Sequence, residues 1–133
     1  MKKLYVIFAT LFIVSCSNDE KAEAGNKSSI PSNLQGTYCY ISGNTVFFDK
    51  DNNATCIAKP GSTTDFYYSS SLNATKIQWT IEAQPAGSIV IKGNNNGEMI
   101  SLTFKDNFEK GSVHSVGESE KGTCGPTLFI TNK

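Results

Sequence analysis

His114 is the only histidine in the 133-residue chain. A zinc site built on several histidines is therefore excluded, and no Ser-His-acid motif surrounds it. A single histidine in a strand is expected to pack or to face solvent rather than to act as a base. Asp49, Asp51 and Asn53 have the spacing of the first three ligands of a calcium loop. That loop then fails, because Ala54 stands where the sharp turn needs glycine and Pro60 where a bidentate glutamate belongs, so a hairpin turn is the expectation. Glu82, Glu98 and Glu109 could divide the acid and base roles of glycoside hydrolysis only if two of them met, and nothing in the sequence brings two together. No catalytic residue, metal ligand or cofactor site is assigned.

Binding chemistry has better candidates. Phe66, Tyr67 and Tyr68 are consecutive, so a strand through them sends Tyr67 to the face opposite the other two. One of those faces is core. Tyr67 with Tyr38 or Tyr40 is then a candidate exposed platform for a sugar or a protein partner; the competing expectation is of half-buried tyrosines covering a small sheet. Besides Cys16 the chain carries Cys39, Cys56 and Cys124. Outside the cytoplasm two of these can oxidise, and three cysteines allow three pairings with one thiol left over.

The elements that must position these residues are strands. Residues 34–133 are enough for one domain with a modest core. No helical period persists there. Ile77, Trp79 and Ile81 alternate with Lys76, Gln78, Thr80 and Glu82, and Ile100, Leu102 and Phe104 alternate with Ser101, Thr103 and Lys105, which puts each apolar set on one strand face. Shorter runs at 37–41, 45–48, 64–69, 88–92, 112–116 and 127–131 are separated by Gly, Asn and Pro clusters. Many short strands with regular turn signals predict an antiparallel sandwich or a small barrel.

What precedes the domain concerns location. Lys2 and Lys3 open the chain, and Leu4 to Val14 is apolar except at Thr10. This run is too short for a spanning helix, which needs roughly 20 apolar residues, and fits a secretory signal over 1–15. Its end, Ile13-Val14-Ser15-Cys16, resembles the bacterial lipobox, and that resemblance implies cleavage before Cys16 and lipidation of its thiol and amino group. Acyl chains anchor a protein durably at about 0.8 kcal/mol per buried methylene. Residues 16–33 then read as a lipidated cysteine and a disordered tether, too polar to offset the entropy of ordering. Asp19 and Glu20 are similar to the signal that sends lipoproteins of Bacteroidota to the outer face of the outer membrane. The expected location is therefore the outer membrane, lipid-anchored at the cell surface, with a periplasm-facing lipoprotein as the alternative. After cleavage, ten lysines stand against twelve carboxylates, a net charge of −2 with no arginine. That is no footprint for nucleic acid.

The run from Asn73 through Lys76-Ile77-Gln78-Trp79-Thr80-Ile81, then Ala86-Gly87-Ser88-Ile89-Val90-Ile91, Gly93-Asn94-Asn95, Ile100-Ser101-Leu102-Thr103-Phe104, Gly111-Ser112-Val113 and Thr123-Cys124-Gly125-Pro126 resembles the PKD-like immunoglobulin-type domains of Bacteroidota surface proteins. The match covers about Cys56 to Ile130. It implies an antiparallel immunoglobulin-like β-sandwich with Trp79 on a central strand, a hairpin tip at the Gly-Asn segment and a cysteine-glycine turn before the last strand. Two departures stand out. Ser115 occupies an expected apolar position, which suggests a bulge near His114, and residues 34–55 have no place in the pattern. The resemblance favours a disulfide between Cys56 and Cys124 with Cys39 spare, while a Cys39–Cys56 pair stays open. Leu34-Gln35-Gly36-Thr37-Tyr38 and the turn at Asp49 are similar to the opening of small lipocalin-like lipoproteins, which makes a lipocalin-like β-barrel with an internal cavity the alternative fold. The functional expectation is a non-catalytic binding or structural module attached to the membrane by its lipid and meeting a glycan or protein ligand; the alternative is a lipocalin-like carrier of a small ligand.

Overall fold

A computed structural model describes residues 28–133. The signal, Cys16 and the acidic pair lie outside the described residues. Ten strands follow one another: β1 (Cys39–Gly43), β2 (Val46–Phe48), β3 (Ala54–Ile57), β4 (Thr63–Ser70), β5 (Lys76–Gln84), β6 (Ile89–Lys92), β7 (Met99–Phe104), β8 (Lys110–Ser119), β9 (Gly122–Cys124) and β10 (Thr127–Thr131). They form two sheets. One has the order β1-β4-β7-β6, the other β2-β3-β10-β8-β5, with β9 paired to β8. All pairings are antiparallel except that of β3 with β10.

Two sheets with separate edges are a sandwich and not a closed barrel, so the lipocalin-like alternative is overturned. The stretch from residue 34 to 55 supplies β1, an edge of the first sheet, and β2, an edge of the second. Alternation decides what fills the space between them. Phe66, Ile100, Leu102 and Phe104 from one sheet face Trp79, Val113, Leu128 and Ile130 from the other, all buried. Phe108, in the β7–β8 connection, closes one end with its ring 4.8 Å from that of Phe104.

The inner face of β8 is made of small residues because its neighbour carries large ones. In register, Ser115 lies opposite Trp79 and Gly117 opposite Ile77. No bulge forms near His114: β8 pairs with β5 without a break from Lys110 to Glu118, and Ser115 is buried in the ladder. A small residue is what a tryptophan of that bulk needs beside it. The Gly-Asn segment does connect β6 to β7 and also folds onto the free edge of β5. There the Trp79 amide donates to Asn95 O at 2.9 Å, the Gly97 amide to Ile77 O at 3.0 Å and the Trp79 indole to Gly97 O at 2.7 Å. Half of an exposed strand edge is thereby covered.

The disulfide differs from expectation. Cys124 is bonded to Cys39, Cα to Cα 6.1 Å, and Cys56 is a free, buried cysteine. The pairing Cys56–Cys124 fails because Cys56 points into the core from β3, where Val46 and Ile130 are its register partners, while Cys124 sits at the end of β9. Of the two other described cysteines, Cys39, on the edge strand of the opposite sheet, is the one that comes within reach of it.

Candidate functional site

The outer face of the six-stranded sheet carries a groove. Its floor is β8 and its walls rise from β10 and β5. In register, Phe129 lies opposite Ser112 and Ser112 opposite Glu82, so the three stand in one row across the strands. Phe129 is 72% exposed. A serine between a phenylalanine and a glutamate leaves a trough over β8, because the middle side chain is the short one. The walls spring from strands two spacings apart, about 9.6 Å between their backbones.

The trough continues in both directions. Toward the β5–β6 turn, a space of about 740 Å³ is lined by the next row, Thr131, Lys110 and Gln84, and closed by Ala86 and Gly87. Toward the other end, a space of about 360 Å³ is lined by Thr127, His114 and Thr80. Each lies in the size range of small-molecule sites. The backbone beneath is held, since β8 pairs with β10 on one side and with β5 on the other along the whole groove. At the far end His114 Nδ1 and Thr127 Oγ1 are hydrogen-bonded at 2.7 Å, which holds both side chains on the face. Hydroxyls, an amide, a carboxylate and an ammonium thus surround one exposed aromatic ring.

The tyrosines do not assemble into one platform. Tyr38 and Tyr40 stack with centroids 6.4 Å apart, and Tyr40 meets the buried Phe48 edge-on at 5.8 Å, so this pair is half-buried cover for the sandwich flank. Tyr67 projects from β4 on the outer face of the four-stranded sheet, opposite Met99 on one side and Ser42 on the other. Its neighbours are occupied with one another: Ser101 donates to Asp65, and Thr63 and Thr103 share a hydrogen bond of 2.9 Å.

Asp49 caps a turn. Its carboxylate accepts from the amides of Asp51 and Asn53, both at 2.9 Å, and from the Asn53 side chain at 3.3 Å. The Asn53 amide, with help from Asp51 and Lys50, holds the Asp49 carboxyl below its ordinary pKa. Those are the hairpin contacts expected of this loop. Glu82 lies in the groove, Glu98 in the β6–β7 connection and Glu109 just before β8, each in a different place. Among the described residues no three metal-ligating side chains converge.

Phe129 carried a readable signal. Leu128, Phe129 and Ile130 are consecutive, so a strand that buries the first and third must expose the second, the same logic that placed Tyr67 outside. What alternation could not show is that Ser112 and Glu82 would lie beside it. Fold and groove together define an all-β sandwich domain with a cleft on one sheet face. No protein-family model, curated protein or solved structure matches the chain.

Proposed function

We propose that this chain is a non-catalytic binding module, anchored by lipid at Cys16 to the outer membrane and turned to the cell exterior, that takes its ligand in the groove beside Phe129. The observation that carries the proposal is that ring, 72% exposed on an interior strand whose neighbours fix it. A large apolar side chain held open to water in a trough with polar groups around it is a feature of binding surfaces.

The sandwich is read as PKD-like and immunoglobulin-type. What supports this is strand order: β1-β4-β7-β6 follows the ABED sheet of that architecture, and β10-β8-β5 follows GFC, with a buried tryptophan, Trp79, on the strand equivalent to C. Its cystine is atypical, since it joins the first strand to the turn before the last. The anchor reading rests on the lipobox resemblance. It agrees with the path of the chain into the domain, where Ser28 exchanges backbone hydrogen bonds with Phe48 and Asn52 bonds Ser32 in both directions. Residues 28–32 therefore lie beside β2, at the sheet edge opposite β5.

A photo-cross-linking residue at 129 in intact cells tests the binding face, with the same residue at 67 as reference. Covalent adducts from 129 and none from 67 are expected; adducts from 67 alone, or from neither, overturn the assignment. Protease shaving of intact cells tests location. Digestion that disappears in Cys16→Ala and in Asp19→Ala/Glu20→Ala chains is expected, whereas protection of the wild-type protein until the outer membrane is opened would place it facing the periplasm.

A further inference from the structure

The chemistry of the groove narrows the ligand class, on the reading that the groove beside Phe129 is the binding face. We infer that its ligand is an uncharged glycan lying along β8, with one sugar ring packed flat against Phe129 and hydroxyls turned to Glu82, Ser112 and Gln84.

Three features of the site lead there. First, the floor of the groove is β8, whose residues Lys110 to His114 pair with β10 on one side and β5 on the other. An extended peptide gains affinity at a sheet chiefly by adding a hydrogen-bonded strand at an edge, and this floor offers it no backbone partner. A ligand lying over β8 is held there by side chains, which favours one that carries its own polar groups closely and on several sides. A pyranose does so.

Second, the walls differ in kind. Phe129 presents an apolar ring on one side, and Glu82 an acceptor-only carboxylate on the other, with the Ser112 hydroxyl between them. A sugar is amphipathic in the same sense, with a C–H face that packs on an aromatic ring and a rim of hydroxyls that donate to a carboxylate. A wholly apolar ligand would bury the Glu82 charge unpaired, which is costly.

Third, the charges in the groove cancel. Glu82 on one wall is balanced by Lys110 in the next row. A polyanion such as a sulfated glycan or a nucleic acid would meet a carboxylate beside the ring and only one cation, so a neutral chain fits best. The run of three rows, from Thr131-Lys110-Gln84 past Phe129-Ser112-Glu82 to Thr127-His114-Thr80, spans four residues of strand, about 13 Å, enough for more than one sugar.

The test is calorimetric titration of the full chain in detergent with cellohexaose, xylohexaose, mannohexaose and maltohexaose, and with heparin as the polyanion. At least one neutral hexasaccharide is expected to bind, and heparin is not. Phe129→Ala is expected to weaken that binding about tenfold or more. Ser112→Trp, which fills the floor, is expected to abolish it, and Tyr67→Ala on the opposite sheet to leave it unchanged. Binding by none of the four, preference for heparin, or binding that ignores both Phe129→Ala and Ser112→Trp overturns the glycan assignment. The two readings fail separately, since a cross-link from position 129 to a polypeptide would keep the binding face and refute the glycan.

Discussion

The ring of Tyr68 occupies the space that a side chain at position 117 would need. A Cβ added to Gly117 would fall 2.6 Å from Tyr68 Cε2. The phenol cannot easily withdraw, because its hydroxyl donates across the sandwich to Cys124 O at 2.8 Å, beside the disulfide. Gly117→Ala is therefore expected to cost about 1–3 kcal/mol by overpacking. In a Tyr68→Ala background most of that increment should vanish, and a urea-denaturation double-mutant cycle measures it. Equal cost in both backgrounds would show that the glycine is needed for some other reason.

Ser115 is buried opposite Trp79, and its hydroxyl has no hydrogen-bond partner. Removing an unsatisfied buried hydroxyl relieves a desolvation cost. Ser115→Ala should accordingly be neutral or stabilising by up to about 1 kcal/mol. Trp79→Ala should lose about 3–5 kcal/mol, since it empties the centre of the core and frees the Gly97 carbonyl. Denaturant midpoints of the two variants decide the matter, and a clear loss in Ser115→Ala would mean that the hydroxyl has a partner, such as a buried water.

The disulfide joins β1 of one sheet to β9 on the other across a sequence separation of 85 residues. On the chain-entropy model, closing a loop of that length contributes about 4.5 kcal/mol, so Cys39→Ser with Cys124→Ser should lose an amount of that order. Cys56 should be the free thiol of the domain. Burial pushes its pKa up from 9.0, against a small opposing effect of the Thr45 hydroxyl. The folded protein keeps this proton at a pH where the unfolded chain releases it, so stability is undiminished below pH 9.0 and falls as pH rises past it. Iodoacetamide at pH 8 should spare Cys56 in the native protein and modify it in urea. Modification of Cys39 or Cys124 without reductant would contradict the pairing.

Asp49 gives the acid side of the pH profile. Its folded-state carboxyl lies below 3.8, chiefly through the Asn53 amide. The stabilisation is present above pH 3.8 and is lost as pH falls through the folded value. Asp49→Ala should remove that part of the acid sensitivity, which urea midpoints measured between pH 5 and pH 2 would reveal. Identical acid profiles for wild type and Asp49→Ala would show that the turn cap does not contribute.

Much of the sandwich is readable in the chain because strand burial follows a period of two. Ile77-Trp79-Ile81 and Ile100-Leu102-Phe104 lie on inward faces at β5 and β7, and the Gly-Asn cluster is the link between β6 and β7. The same period failed where a residue's size answers to a distant neighbour. Ser115 breaks the apolar pattern because Trp79 faces it, and that pairing is a matter of register between strands 36 residues apart. The groove was hidden for the same reason: Phe129, Ser112 and Glu82 are far apart in sequence, and only the β10-β8-β5 order makes them a row.

The sequence alone determined what depends on local chemistry: an all-β domain, the side of each strong strand that is buried, and a turn at Asp49. Those follow from alternation and hydrogen bonds that close within a few residues. Tertiary structure decided what depends on which strand lies beside which. It selected Cys39 over Cys56 as the partner of Cys124, because bonding needs two sulfurs brought within reach and not merely two cysteines in an oxidising place. It dispersed the tyrosines that sequence had grouped and set Phe129 across β8 from Glu82, because neighbours on a sheet face are set by strand order, which the chain specifies only when both sheets pack around one core.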